Sequence, residues 1–156
     1  MCEVNIVIKI YKALRALELY GDDKLIGRYK IALGGEPIGD KSMEGDKKTP
    51  EGKYYICTRN DKSKYTLFLG LNYPNEEDAQ RGLKSGLIEE NTLEEIILEN
   101  QNGKRPDWNT LLGGTIGIHG GGNIGDWTSG CIALSNEDIS IIWEYAKMNT
   151  PVDIYR

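Results

Sequence analysis

Alternating hydrophobic and polar residues at the start of the chain predict a β-strand. From residue 4 the alternation has the period of two that is typical of a half-buried strand. Runs over 16–20 and 25–33 meet across Gly21-Asp22-Asp23, a cluster typical of a hairpin turn. The N-terminal third is therefore predicted to be a meander. A long exposed loop over 34–52 follows, and further strands are predicted over 53–59, 64–72 and 152–155.

Capping residues and helical spacing predict three helices. Asn75 precedes three acidic residues that suit the first turn of a helix ending near Gly86. Asn91 is the predicted cap of a second helix, which would end at Gly103. Ser135 begins a capping-box pattern, and the apolar residues after it repeat at helical spacing. Together with the strands, these helices indicate a mainly β fold with helices at its periphery.

Length and composition indicate one domain, residues 1–156. A chain of 156 residues can bury a core without disulfides. Its 19 basic and 24 acidic residues give a net charge of −5 and form no long block of one sign, so no nucleic-acid partner is expected. The longest apolar runs are only a few residues, and no transmembrane helix is predicted.

Cysteine and histidine are scarce, which restricts the possible chemistry. Cys2, Cys57 and Cys131 are too few and too scattered for a disulfide framework or a clustered metal site. Cys57 lies in a predicted strand and is expected to be buried and inert. Because His119 is the only histidine, a site with two imidazoles cannot form within one chain. No metal and no other cofactor is expected.

The candidate chemistry lies in the glycine-rich segment 117–134, which contains His119 and Cys131. A neighbouring imidazole can take the proton of a thiol and hold the thiolate as an ion pair, which would keep the sulfur deprotonated at mildly acidic pH. The separation of 12 positions leaves room for a strand end, a glycine loop and a return. On spacing alone, a buried inert cysteine and a structural histidine remain an alternative.

The stretch 116–136 resembles the active-site signature of the YkuD-type L,D-transpeptidases. In that signature a histidine followed by glycine, here His119-Gly120, precedes a Ser-x-Gly-Cys ending. Upstream, Thr49-Pro50-Glu51-Gly52 is similar to the family's Thr-Pro-x-Gly hairpin, and 71–75 is similar to a segment of one subgroup. The matches span roughly residues 4–156. The resemblance implies an L,D-transpeptidase-like β-sandwich with about three peripheral helices.

The resemblance also implies roles for the residues of the site. Cys131 would be the nucleophile, His119 the base, and the backbone carbonyl of Gly120 would orient the imidazole. Backbone amides near Ser129, Gly130 and Cys131 would form the oxyanion hole.

Two aromatic residues are further candidates for substrate contacts. Trp127 would either line the stem-peptide groove or cover the loop. Tyr73 follows a strand and suits either a substrate contact or a packing role.

Two positions depart from the common family signature. Ser129 stands where the family has a histidine, with Thr128 at the position of its serine, and Ala133 replaces an arginine. The arginine's loss removes a cation that would hold the loop or a substrate carboxylate. The candidates for a replacement charge are Lys41, Lys104 and Arg105. We interpret all three as solvated surface residues.

The resemblance implies a cysteine acyltransferase that acts on peptidoglycan stem peptides. Cys131 would attack the carbonyl of the third stem residue, release the terminal D-alanine and form a thioester, which an amine of a second stem resolves. Two alternatives are an L,D-carboxypeptidase or endopeptidase of the same fold, in which water resolves the thioester, and a catalytically silent wall-binding module.

Stem peptides are the expected partners, without nucleic acid or metal, and the oligomeric state is not predicted. The family works in the cell envelope, outside the cytoplasmic membrane. No export segment precedes Val4, so we expect that one has been removed and that this protein also acts in the envelope.

Overall fold

The computed structural model describes residues 4–156, so Cys2 lies outside the described residues. Eight strands in this part of the chain form one sheet in the order β3-β2-β1-β8-β4-β5-β6-β7. In chain order the strands are β1 (Ile6–Tyr11), β2 (Ala16–Gly21), β3 (Lys24–Lys30), β4 (Gly52–Ser63), β5 (Thr66–Leu71), β6 (Gly117–His119), β7 (Ile132–Ala133) and β8 (Pro151–Tyr155).

The N-terminal strands form the predicted meander. Strands β1, β2 and β3 pair antiparallel in succession. The turn between β2 and β3 has left-handed backbone at Asp22 (φ 48°) and Asp23 (φ 66°), which matches the twist of a hairpin. The pattern of the sequence therefore identified this turn correctly.

The last strand joins the meander to the rest of the sheet. Strand β8 lies between β1, with which it pairs parallel, and β4, with which it pairs antiparallel. Strand β4 pairs with β8 at its beginning and with β5 from Ile56 onward, so it belongs to both halves of the sheet.

The sheet curls until its two ends meet. Beyond β3, Ala32 forms a bridge with Ala133 of β7, and Gly34 forms one with Thr128. The two halves enclose a core to which all the strands except β3 contribute buried side chains, together with α3 (Asn136–Tyr145). The prediction of a mainly β fold with three helices is confirmed for the described residues.

The other two helices are α1 (Glu76–Lys84) and α2 (Glu90–Gln101), which pack around a small cluster of their own. Asn75 caps α1 in a full capping box with Asp78, and Ser135 caps α3, as predicted. The predicted cap at Asn91 is wrong. The cap lies two residues earlier, at Glu89, which makes no capping hydrogen bond through its side chain, and helix α2 begins at Glu90.

Within residues 4–156, no helix has the length and apolar character needed to cross a membrane.

The loop over 34–52, predicted to be exposed, is held by buried polar contacts. The Thr49 hydroxyl accepts a hydrogen bond from the Gly34 amide. The buried ammonium of Lys12 donates to the carbonyls of Gly39 and Thr49 and to the carboxylate of Glu51. This loop is therefore irregular but fixed against the sheet.

Replacing Asn75 by Ala should lower the free energy of unfolding by about 1 to 2 kcal/mol, because the Asp78 amide loses its side-chain acceptor. Urea denaturation measures the change. Asn91→Ala is the matched control and should change the free energy by less than about 0.5 kcal/mol, since Asn91 lies inside α2 and does not cap it. An equal loss at both positions would contradict this assignment of the helix start.

Candidate active site

The parallel pairing of β6 with β7 places His119 near Cys131. Ile118 pairs with Ile132 and His119 with Ala133, so β6, which ends at His119, runs alongside β7, which Cys131 directly precedes. Both side chains line one cavity of about 460 Å³. The structure therefore brings together the histidine and the cysteine that the sequence singled out.

The imidazole of His119 is buried and oriented by its neighbour. Its Nδ1 lies 2.5 Å from the carbonyl oxygen of Gly120, which can only accept a hydrogen bond. The Nδ1 atom is therefore the protonated one in the neutral ring, and Nε2 carries the free lone pair. A Cβ at position 120 would lie 2.9 Å from the backbone carbonyl oxygen of Tyr65, so only glycine fits there.

Three aromatic rings surround this imidazole. Tyr65 stacks on it with ring centroids 4.4 Å apart, Phe68 lies parallel to it at 6.2 Å, and Trp127 meets it edge-on at 5.8 Å. The indole N–H of Trp127 donates to the carbonyl of Gly122, which fixes the ring against the glycine loop. Sequence reasoning missed Tyr65 and Phe68, because only the pairing of β5 with β6 brings them to His119.

The turn before Cys131 is closed by the hydroxyl of Thr128. This hydroxyl donates to the carbonyl of Cys131 at 2.7 Å and accepts from the amide of Gly130 at 3.1 Å. Gly130 has a φ of 139°, and a Cβ there would lie 2.8 Å from the carbonyl oxygen of Lys48. Only glycine therefore fits at this position.

The thiol of Cys131 is half-buried and donates to the carbonyl of Thr115 at 3.4 Å. Burial raises the pKa of Cys131 to about 11, although a hydrogen bond with the backbone of Gly117 and the charge of Lys41 act in the opposite direction. Burial lowers the pKa of His119, partly offset by the hydrogen bond to Gly120. Both shifts favour the neutral forms of the thiol and the imidazole, and the ion pair expected from the sequence stays a prediction.

A second cavity, of about 610 Å³, lies on another side of Cys131 and is also lined by Ser129. Lys41 lines it as well, and our interpretation of Lys41 as a solvated residue is wrong. Its side chain is 3% exposed and pairs with Asp46 at 2.8 Å. Arg105 and Lys104 are exposed, as expected, and Arg105 lines the cavity of His119.

Tyr73 is a packing residue in this structure. Its ring is fully buried, and its hydroxyl donates to the carbonyl of Leu112 at 2.7 Å.

Cys57 is buried, and its pKa is raised to about 12 by burial. Within residues 4–156, no group of three His, Cys, Asp or Glu side chains is placed to hold a metal ion.

The most voluminous of these cavities, about 790 Å³, lies elsewhere, between the start of β4 and the helices α1 and α2. Its lining includes the amide side chains of Asn72, Asn75 and Asn100, which already bond to protein atoms. Neither His119 nor Cys131 borders it. Size alone therefore does not locate the chemistry of this protein.

Comparison with known proteins identifies the family of this chain. Residues 5–154 match the YkuD family, described as the L,D-transpeptidase catalytic domain. The chain belongs to this family. Over 84 residues it is 34% identical to YafK of Escherichia coli K12, an alignment that covers 49% of this chain and 34% of YafK.

Solved structures of similar fold extend over almost the whole chain. Pgp2 of Campylobacter jejuni, a helical cell shape determining protein, has a TM-score of 0.64 at 24% identity, and the match covers 99% of this chain. An L,D-transpeptidase of Mycobacterium tuberculosis has a TM-score of 0.57 at 12% identity and covers 98%. This chain spans 48% and 58% of those two structures, so it corresponds to about half of each.

The pH dependence of Cys131 alkylation should follow a thiol of high pKa. Because the thiolate fraction of a group with a pKa of about 11 grows about tenfold per pH unit below that value, the rate with iodoacetamide should rise continuously from pH 6 to 9. Peptide mass spectrometry measures this rate, with the urea-unfolded protein as reference. A rate that is already maximal at pH 6 to 7 would show that the thiol is held as an ion pair with His119.

Replacing Thr128 by Val should lower the free energy of unfolding by about 1 to 3 kcal/mol, because the Gly130 amide and the Cys131 carbonyl both lose their partner. Thr128→Ser keeps the hydroxyl and should retain most of the stability. Urea denaturation of the two variants tests the contribution of the turn. Equal losses would indicate that the methyl group, not the hydroxyl, stabilises the turn.

Proposed function

We propose that this protein is a cysteine acyltransferase that acts on peptidoglycan stem peptides through a thioester on Cys131. One observation carries the proposal: His119 and Cys131 line the same cavity in a chain of the YkuD family. Gly120 fixes the imidazole so that Nε2 is the basic nitrogen. Burial favours the neutral form of both groups, which supports His119 as a general base that takes the thiol proton during the attack.

In the first half-reaction, the thiol proton of Cys131 moves to Nε2 of His119 while the sulfur attacks the carbonyl carbon of the third stem residue. The bond between this carbon and the nitrogen of the terminal D-alanine then breaks, and the imidazolium returns the proton to the leaving amine. The products are a thioester on Cys131, free D-alanine and a neutral imidazole.

In the second half-reaction, the side-chain amine of another stem attacks the thioester. The carbon–sulfur bond breaks, and His119 carries a proton from the amine to the sulfur, which restores the thiol. The cavities on two sides of Cys131 support binding of two stems, one as acyl donor and one as acceptor. Water in place of the amine makes the same site an L,D-carboxypeptidase or endopeptidase.

The oxyanion of the tetrahedral intermediate lies at the turn that precedes β7. The Gly130 amide donates to Thr128, so we remove it from the set of donors expected from the sequence. The amides of Ser129 and Cys131 donate to no backbone acceptor among residues 4–156, and we assign the oxyanion to these two groups. Trp127, which is 41% exposed and edge-on to His119, would border the bound stem.

Peptidoglycan as substrate implies that the protein acts in the cell envelope, and we propose that location. The reaction needs no cofactor, since the thiol, the imidazole and the backbone amides supply the nucleophile, the base and the electrostatic stabilisation.

Incubation with muropeptides that carry tetrapeptide stems tests the proposed function. Intact-protein mass should show a tripeptide acyl adduct on Cys131, and Cys131→Ala should lower turnover at least about a thousandfold. Cys57→Ala is the matched control and should keep the activity, because Cys57 is buried away from both cavities. Adduct formation or full turnover in Cys131→Ala would overturn the nucleophile assignment.

The products separate the three forms of the hypothesis. Cross-linked dimers indicate transpeptidation, and release of D-alanine without dimers indicates hydrolysis. A catalytically silent wall-binding module gives neither an adduct nor a released residue.

A further inference from the structure

The cavity that contains His119 and Cys131 has an unusual charge for this protein. Lys64 and Arg105 line it, and no Asp or Glu does, although the chain as a whole has a net charge of −5. The second cavity beside Cys131 differs, because Glu44 lies there with Lys41 and Lys47. Positive charge is therefore concentrated on one side of the nucleophile.

Each of the two cations lies over an aromatic ring that lines the cavity. The ammonium of Lys64 lies 5.0 Å from the centroid of Tyr65, which stacks on the imidazole. The guanidinium of Arg105 lies 4.9 Å from the centroid of Trp108. These contacts restrict both side chains to positions at the edge of the cavity.

The Trp108 ring that supports Arg105 is itself held in place. Its ring meets Phe68 edge-to-face at 6.5 Å, and a Cβ at Gly114 would lie 2.4 Å from the Trp108 Cβ. The absence of a side chain at Gly114 thus leaves the space that Trp108 occupies. Arg105 therefore has a fixed support, which an exposed arginine on an open surface would lack.

Neither cation has a carboxylate within ion-pair distance among the described residues. Arg105 also borders a separate cavity with Glu99 and Asp107 but forms no salt bridge to them. Lys41, in contrast, is neutralised by Asp46. The positive charge of Lys64 and Arg105 thus remains available to a ligand.

We propose that Lys64 and Arg105 bind a carboxylate of the ligand whose carbonyl reacts with Cys131. They supply the cation that the family signature has as an arginine and that Ala133 lacks here. Arginine offers a planar pair of donors and lysine a point charge, and both suit a carboxylate. This carboxylate is the free C-terminus of the donor stem, an assignment that rests on the proposed function.

The closing experiment compares two alkylating agents that differ only in charge, iodoacetate and iodoacetamide. The ratio of their rates at Cys131 reports the attraction of a carboxylate to the cavity and needs no stem peptide. In the double variant Lys64→Gln/Arg105→Gln, the ratio should fall about three- to tenfold, as expected for exposed charges. The wild-type ratio should also fall at 0.5 M salt, because salt screens such charges.

Lys104→Gln is the matched control, because it removes one exposed positive charge that does not line the cavity. Its iodoacetate-to-iodoacetamide ratio should equal that of the wild type. Equal ratios in the wild type and the double variant would overturn the proposal. An equal fall in Lys104→Gln would overturn it too, since net charge alone would then explain the effect.

A second arm uses tetrapeptide stems that end in a free carboxylate or in a carboxamide. The wild type should prefer the carboxylate in kcat/KM, and the double variant should lose most of that preference. Retention of the full preference would overturn the assignment of the carboxylate to the stem terminus. If neither stem is turned over, the proposed function fails, whereas the alkylation ratio still decides whether the two cations attract a carboxylate.

Discussion

The pairing of two short strands, β6 and β7, is the contact on which the site depends. Strand β6 has three residues and β7 has two, so few hydrogen bonds hold them together directly. The pair is stabilised from both sides, because β5 pairs with β6 and Ala32 bridges Ala133. The distance between imidazole and thiol is therefore set by the closure of the whole sheet and not by the local segment.

Burial of this pair determines how its protons are distributed. A thiol and an imidazole in water would titrate within about two pH units of one another, but burial moves their pKa values further apart. Two neutral groups avoid the cost of placing separated charges in a poorly solvated cavity. Burial therefore disfavours both the thiolate of Cys131 and the imidazolium of His119.

Sequence pattern predicted those features that depend on neighbours along the chain. The meander and the caps at Asn75 and Ser135 are of this kind, and so is the position of His119 and Cys131 on one cavity. Features that depend on contacts between distant segments were not predictable. Tyr65 reaches His119 through sheet pairing, and the ammonium of the buried Lys41 lies 5.7 Å from the ring centroid of Tyr73.

The hydrogen bond of Thr128 to Gly130 illustrates the same limit within the turn itself. The sequence shows a hydroxyl and a glycine at a suitable spacing. It does not show to which acceptor the Gly130 amide donates its hydrogen bond. Likewise, the composition shows only that the chain is acidic. The folded structure is needed to show that Lys64 and Arg105 line the cavity of His119 and Cys131.

The position of β8 has a consequence for the order in which the molecule forms. Residue 8 pairs with residue 152, and β8 also provides the edge on which β4 pairs. Strand β8 makes hydrogen bonds to β1 on one side and to β4 on the other. Until it is in place, nothing joins the meander to β4 at this position in the sheet. Such pairing between distant segments slows folding, since a long loop must close first. Both residue 8 and residue 152 must therefore have left the ribosome before β8 can join the two halves of the sheet.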